Sequence, residues 1–417
     1  MSQKKFISVP HFESLKNVAH DDTYYHLIKN SSQEFKNEIH DIYFGRIFRY
    51  KYDDRDKKYC NPMGVEATDA QVDSLFRIQD EFGIEISLTI NSIETPHELL
   101  LDEHVTKEFI SFIKSFYDRG LRSCTIASPH LIKSRLLHNN FPDMRWKNTV
   151  NHRVYDAQQV MNYIFCGYDT ILLDRSISRN INELKRIRKA VDYYNKTYKP
   201  QKKILTSLLI QEGCLYSCPF KKEHDSMGEY ISGQYFNTLS KLTCDNWRFN
   251  EPFGKLPRNA IDLIVPDKDT FAEIAKLNDI FKYSGRFSFF TFQPGDIEHK
   301  KACWLFEHQK KFRFDYSPAA PDEIVYADNF TDVLNDNIMP LHWWNFAWVD
   351  SEFFPQDYKH KLELLKTMPN FWKTPKGKHL AKILKNCRSQ CWDCHECEKT
   401  FETPYFDSAL QLQFQKK

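Results

Sequence analysis

The regular alternation of short β-rich runs with helical patterns limits the fold of this chain more than any other feature of its sequence. Eight β-rich runs follow one another, and the segments between them have the apolar spacing of amphipathic helices. The runs lie at residues 38–45, 83–91, 120–127, 144–151, 167–174, 203–210, 260–266 and 280–283. Strands that alternate with helices are typical of a parallel sheet, and a count of eight favours a sheet closed into a barrel.

An open, doubly wound sheet is the alternative architecture. It would carry a G-x-G-x-x-G turn after a strand, and that motif does not occur in this sequence of only 12 glycines. We therefore predict an α/β fold, a TIM-like (β/α)8 barrel, at residues 38–299. An N-terminal extension (residues 1–37) precedes it, and a C-terminal auxiliary region (residues 300–417) with a cysteine cluster at 387–397 follows. A long loop at residues 221–257 belongs to the barrel, and loops of that length usually help to build a barrel's site.

Charge and cysteine content narrow the classes of function. The 58 Lys and Arg nearly balance the 56 Asp and Glu, so a net charge of +2 gives no general attraction to nucleic acid or anionic membranes. A basic run at residues 185–189 could still form a local basic face, although a solvated helix face is the favoured interpretation. No secretory signal and no membrane span are recognisable, which indicates a cytoplasmic protein with reduced thiols. Its 11 cysteines are then typical of metal or cluster ligands rather than of disulfides.

The sixth β-rich run leads directly to two thiols. Residues 203–220, KILTSLLIQEGCLYSCPF, begin as an apolar strand and continue into a segment that contains Cys214 and Cys218. Thiolates at this spacing can converge on one metal or cluster if the loop folds back. The long loop could bring Cys244 as a third ligand, and Cys60, in the loop after the first predicted strand, is a candidate fourth ligand.

A second group of cysteines lies near the C-terminus. Four thiols occur within eleven residues of a polar stretch, at Cys387, Cys391, Cys394 and Cys397. Zinc sites usually have two cysteine pairs separated by a longer spacer, and no spacer is present here. The spacing therefore favours an iron–sulfur cluster, with zinc as the alternative.

The remaining cysteines and the polar residues at strand ends have more ordinary interpretations. Cys124 and Cys166 lie in apolar settings and are interpreted as core residues. Polar side chains at the ends of predicted strands could bind substrate or move protons, because functional residues of barrels gather at that end. They are Asn91, Asn151, His152, Asp174, Arg175 and Glu212. Of these, His152, Asp174, Arg175 and Glu212 are the catalytic candidates, and the simpler alternative for each is a turn or cap residue.

Several of these motifs, taken in order, resemble the collagenase-like peptidase family U32. The resemblance is carried by Tyr43-Phe44-Gly45, by residues 172–175, by E-G-C-L-Y-S-C-P-F at 212–220 and by the passage that ends F-K-Y-S-G-R at Arg286. It extends over roughly residues 38–290 and implies a divergent member of that family. Proteins of the family are barrels with a four-cysteine iron–sulfur cluster, and several act as oxygen-independent hydroxylation factors for tRNA, rRNA or the ubiquinone ring.

Carried over by position, the resemblance implies that Cys214, Cys218 and Cys244 are cluster ligands. The fourth family cysteine has no match before Asp262, which leaves Cys60, Cys303 or a C-terminal cysteine for that role. The cofactor implied is a 4Fe–4S cluster, with one or two clusters in the chain.

We therefore expect an iron–sulfur-dependent redox enzyme of the oxygen-independent hydroxylation type, with an unknown substrate. A peptidase is the alternative that the family label implies, but the sequence contains neither a recognisable nucleophile–base pair nor a zinc protease motif. A non-catalytic, metal-stabilised scaffold that binds a partner is a further alternative. The candidate partners are a homologous subunit, as some family members form heterodimers, or a redox partner, and the net charge does not support nucleic acid.

Overall fold

The computed structural model describes the first two-thirds of the chain more fully than the rest. The described residues are 7–11, 25, 28–29, 33–61, 66–178, 180–210, 222, 268–283, 290–291, 325–326, 375, 379, 382–383, 391–394 and 396. The strands are β1 Ile7–Pro10, β2 Ile39–Gly45, β3 Phe48–Tyr52, β4 Arg55–Tyr59, β5 Glu85–Ile90, β6 Ser123–Ile126, β7 Arg145–Lys147, β8 Thr170–Leu173, β9 Leu205–Ile210, β10 Ile280–Tyr283, β11 Phe290–Thr291 and β12 Val325–Tyr326.

Helices connect most of the barrel strands. The helices among the described residues are α1 Gln33–Glu38, α2 Asp69–Phe82, α3 Glu98–Leu101, α4 Glu103–Tyr117, α5 Pro129–Lys133, α6 Leu136–Asn140, α7 Ala157–Cys166, α8 Ile181–Tyr198, α9 Lys268–Leu277 and, after the last barrel strand, α10 Cys391–Cys394. Two short 3₁₀ turns, Val150–His152 and Arg175–Ile177, follow β7 and β8. Among the described residues, no helix combines the length and the apolar character that a membrane crossing needs.

Eight parallel strands close into one barrel, in the order β1, β2, β5, β6, β7, β8, β9, β10 and back to β1. The ring closes where Ile7 of β1 pairs with both Phe281 of β10 and Ile39 of β2. The antiparallel hairpin β3–β4 is an excursion between β2 and α2, outside the ring. The prediction of a TIM-like (β/α)8 barrel is therefore confirmed.

The first strand of the barrel corrects one predicted boundary. Strand β1 lies within residues 1–37, although the sequence predicts an extension outside the barrel there. Because β1 has only four residues, its apolar signal is too short to stand out from its polar flanks. At the other end, Ser207 of β9 pairs directly with Ile280 of β10, so the described strands complete the ring. The run predicted at residues 260–266 lies outside the described residues.

Capping side chains fix where the longer helices begin and end. Thr68 and Gln71 form a reciprocal capping box at the start of α2, and Gly83 ends that helix in a left-handed conformation with φ 63°. Asp156 caps α7 by accepting a hydrogen bond from the backbone N–H of Gln159. Asn180 caps α8 in the same way, with the N–H of Glu183 as donor. These caps fix the helix boundaries and therefore the length of the segment that connects each helix to the next strand.

The hydrophobic core lies between the barrel wall and the helices. Alternate side chains of the strands point outward into it, among them Phe44, Leu88 and Trp146, all of which are fully buried. Cys124 of β6 is also completely buried in this layer, as expected of a core cysteine, and burial raises the pKa of its thiol. Cys166, at the end of α7, packs against the same core while remaining partly exposed.

Candidate functional site in the barrel interior and at its mouth

The interior of the barrel is mainly polar. A small cavity on the barrel axis is lined by side chains from all eight strands, and eight of its ten lining residues carry a hydroxyl or an ammonium group. The lining residues are Ser8, Tyr43, Ser87, Thr125, Lys147, Thr170, Leu172, Ser207, Ile280 and Lys282. Barrels of this class usually fill their interior with Val, Ile and Leu. A polar interior therefore indicates a site for polar groups rather than a packed plug, although the cavity has space for no more than about one water molecule.

A buried ion pair crosses this interior. Lys147, the last residue of β7, donates to Oδ2 of Asp41 on β2, and the carboxylate of Asp41 is fully buried. The hydroxyl of Ser8 donates to the other oxygen of Asp41 at 2.5 Å. Burial alone raises the pKa of Asp41, but the Lys147 ammonium and a hydrogen bond from His40 outweigh it and hold that pKa well below its usual range. Asp41 is therefore ionised at neutral pH and joins β1, β2 and β7.

A second ammonium group lies in the same interior. The Nζ atom of Lys282 lies 3.9 Å from the centre of the Tyr43 ring, which is a cation–π geometry. Nearby, the hydroxyl groups of Ser87 and Ser123 are 3.1 Å apart and hydrogen-bonded. The interior therefore offers two cationic groups and several hydroxyls, an arrangement that suits water and the oxygen atoms of anionic groups.

Asp174 and Arg175 follow β8 at the carboxyl end of the barrel, as the sequence predicts. Asp174 is buried, and its Oδ1 atom accepts a hydrogen bond of 2.8 Å from the N–H of Ser176. Its Oδ2 atom lies 3.9 Å from Nε of Arg153, which belongs to the segment after β7. Arg175 is only 8% exposed. Asp174 therefore caps the 3₁₀ turn after β8 and connects this turn to the neighbouring segment.

Amide side chains link the ends of neighbouring strands at the same end of the barrel. Asn148, which is fully buried, accepts a 2.5 Å hydrogen bond from the N–H of Leu172 and donates to the carbonyl of the same residue at 3.3 Å. Asn91, directly after β5, donates to Oγ1 of Thr149 at 3.4 Å. The hydroxyl of Thr149 in turn accepts from the N–H of Asn151. The ends of β5, β7 and β8 are thus held together by side chains.

His152 packs among aromatic rings. Its ring centre lies 5.0 Å from that of Tyr163 on α7 and 6.3 Å from that of Tyr168. Burial lowers the pKa of His152 to about 4, and the nearby carbonyl of Ala127 offsets part of that effect. His152 is therefore neutral at neutral pH and lies beside the layer between the barrel wall and α7.

The structure describes three of the predicted cysteine ligands. Cys60 is buried, and its thiol donates to the carbonyl of Asn61 at 3.2 Å. Its own carbonyl accepts from the N–H of Ser92, two residues after β5, so Cys60 lies at the carboxyl end of the barrel. Cys391 and Cys394 begin and end the single turn α10, and the Cys394 side chain is exposed. The other candidates, Glu212, Cys214, Cys218, Cys244, Cys387 and Cys397, lie outside the described residues.

Sequence reasoning missed the polar residues inside the barrel. Asp41, Lys147 and Lys282 were not predicted as site residues, and neither was Asn148. The sequence of strand β5, E-I-S-L-T-I, does indicate that the barrel has a polar inner face. Its polar residues occupy every second position and therefore share one face of the strand.

The fold and this interior define the chain as a TIM-like (β/α)8 barrel protein. It is similar to a solved structure described as that of the U32 peptidase Mk0906, with 11% sequence identity and a TM-score of 0.42. That likeness covers 68% of this chain and 94% of the other. No protein-family model matches the sequence, and a search of curated proteins gives no match.

Proposed function

We propose that the chain is an iron–sulfur-dependent redox enzyme whose active site lies at the carboxyl end of the barrel, and that it catalyses an oxygen-independent hydroxylation. The observation that supports this most is the position of β9. This strand ends at Ile210, between β8 and β10, and Cys214 follows only four residues later in the chain. Four residues span at most about 14 Å, which supports a ligand role for this thiol at the carboxyl end of the barrel.

The chemistry of the donor set fits a thiolate-ligated cluster. Cys214, Cys218 and Cys244 would hold it, and Cys60 is the candidate fourth ligand because it is a buried thiol at the same end of the barrel. When bound, such a cluster supplies electron transfer or Lewis acidity. The C-terminal cysteines would hold a second cluster or a zinc ion.

The described polar residues at this end would bind and orient the substrate. Arg175 supplies a guanidinium group at the end of β8, which suits a carboxylate or phosphate group. Asp174 and Asn91 supply acceptor and donor atoms directly after β8 and β5. His152 is neutral at neutral pH, so it can accept a proton, and Glu212, beyond the end of β9, is a second candidate for that role.

Anaerobic purification of the full chain tests this function. We expect a brown protein with a broad thiolate-to-iron absorption band and with iron and acid-labile sulfide in comparable amounts. Cys214→Ala should lose about half or more of the iron, whereas Cys166→Ala, at a cysteine packed against the core, should keep all of it. A colourless protein with stoichiometric zinc, or a Cys214→Ala variant with unchanged iron content, would contradict the proposal.

A further inference from the structure

Three potential metal ligands converge at the amino-terminal end of the barrel, opposite the end discussed above. They are His40 and Asp41 on β2 and Glu85, the first residue of β5. One ligand atom from each lies within 4.8 Å of the other two. Nδ1 of His40 is 3.1 Å from Oδ2 of Asp41, close to the spacing of about 3 Å between neighbouring ligands when metal–ligand bonds are 2.0–2.2 Å long.

An irregularity in strand β2 explains how two consecutive residues can share one site. In a regular strand, the side chains of His40 and Asp41 would point to opposite faces. Here Ile7 of β1 pairs with Ile39 and Ser8 pairs with Asp41, so His40 is an extra residue opposite the step from Ile7 to Ser8. Such a bulge redirects a side chain, and bulges are frequent next to functional sites.

Register in the next strand brings in the third ligand. Asp41 pairs directly with Glu85 in the parallel ladder between β2 and β5. Residues that pair across neighbouring strands project from the same face of the sheet. The bulge and this pairing together direct both carboxylates and the imidazole to one position.

One carboxylate oxygen of this cluster has no hydrogen-bond donor among the described residues. Lys147 pairs with Asp41, but the Oε1 atom of Glu85 is buried and has no hydrogen-bond donor among the described residues. A buried acceptor without a partner destabilises the folded state, and more so when it is charged. A cation bound between the three side chains would satisfy this oxygen.

Hydrogen bonding among the described residues does not reach this oxygen, because Nδ1 of His40 contacts Oδ2 of Asp41, at 3.1 Å, while Oε1 of Glu85 has no donor. A metal ion instead accepts a lone pair from each of the three side chains at once. We infer that His40, Asp41 and Glu85 bind a divalent transition cation such as Mn²⁺ or Zn²⁺.

The site is independent of the proposed cluster. Its donors are one imidazole and two carboxylates, which suit Mn²⁺, Fe²⁺ and Zn²⁺, whereas the thiolates of the mouth favour softer ions. It lies at the amino-terminal ends of strands, the end of such barrels that contributes stability rather than chemistry. The bound ion therefore links β2 to β5 on the polar inner face of the barrel and stabilises the folded chain.

Titration of the full chain with Mn²⁺, followed by electron paramagnetic resonance, tests this site. We expect one Mn²⁺ per chain, and at least a tenfold loss of affinity in Glu85→Gln and in His40→Gln. Glu103→Gln is the matched control, because Glu103 is exposed on α4 and pairs only with Lys107 among the described residues. Mn²⁺ should also raise the unfolding temperature of the wild-type chain, but not that of Glu85→Gln.

A third variant separates this site from the thiols. Cys214→Ala should bind Mn²⁺ as tightly as the wild-type chain, whether or not an iron–sulfur cluster forms at the mouth. Absence of stoichiometric binding, equal affinity in Glu85→Gln and the wild type, or loss of binding in Cys214→Ala would each overturn the inference. If Glu85→Gln does not fold by circular dichroism, His40→Gln decides the question.

Discussion

The outward and inward faces of the barrel strands differ in chemistry, although they alternate along the same residues. On β5 the outward side chains are Ile86, Leu88 and Ile90, all fully buried in the core, and the inward ones are Glu85, Ser87 and Thr89. The outer face is held by apolar burial, at about 25 cal/mol per Å². The inner face depends on specific partners, because buried polar groups are stable only when they are hydrogen-bonded or paired.

This difference predicts how each face responds to substitution. An apolar layer loses stability in proportion to the volume removed, since its contacts are numerous and individually weak. A polar interior responds according to whether a group is left without its partner. The comparison can therefore be tested by changes that remove volume and changes that remove a partner.

Lys147→Met should have the largest effect, because it removes a partner and little volume. It leaves the ionised carboxylate of Asp41 buried without its ammonium group, which costs about 3–5 kcal/mol. Urea unfolding of the metal-free chain, followed by circular dichroism, measures the change. Lys107→Met, at an exposed position on α4, should change the free energy of unfolding by less than about 0.5 kcal/mol.

A double variant sharpens the same test. Asp41→Leu with Lys147→Met removes both charges, and it should be more stable than Lys147→Met alone, since the unpaired carboxylate is gone. If Lys147→Met were as stable as the wild-type chain, the ion pair would not hold the inner face together.

Leu88→Ala should have the next largest effect, on the outer face. It leaves a cavity among fully buried side chains and should cost about 3 kcal/mol in urea unfolding. Its neighbour Ser87→Ala, on the inner face, removes one hydrogen bond to Ser123 and should cost about 1 kcal/mol. Similar losses from the two variants would mean that the faces do not differ as the structure indicates.

The sequence predicted the barrel but not its polar interior, and the reasons are physical. Seven of the barrel strands lie in runs that the sequence predicts to be strands, because their outward residues are apolar. Strand β1 was missed because four residues give too little periodicity. Asp41 and Lys147 are 106 residues apart, and a single sequence contains no signal that such residues are in contact.

For the candidate site, the sequence located the strand ends but not the roles of their side chains. Asp174 was placed correctly after β8, yet it also caps a 3₁₀ turn, a role that depends on the local backbone. Strand β7 was predicted to reach residue 151, whereas it ends at Lys147, so Asn148 was read as part of a strand. Tertiary pairing decides where a strand ends, and β7 has a single apolar residue, Trp146, to indicate it.

His152 is a titratable residue that packs against aromatic rings, so its contribution to the free energy of unfolding should depend on pH. Its folded-state pKa of about 4 lies below the ordinary value of 6.5. Between these values the unfolded chain binds a proton that the folded chain does not, so stability is intact above pH 6.5 and falls as the pH drops towards 4. The loss should be on the order of 2 kcal/mol, less than the full shift implies, because the ring is partly exposed.

The variant His152→Phe tests this pH dependence, because it keeps the contacts with Tyr163 and Tyr168. Its urea midpoint should decline less between pH 6.5 and 4 than that of the wild type. The control His130→Gln, at an exposed position, should follow the wild type. Identical pH profiles for the wild type and His152→Phe would show that this imidazole is protonated as easily in the folded chain as in the unfolded one.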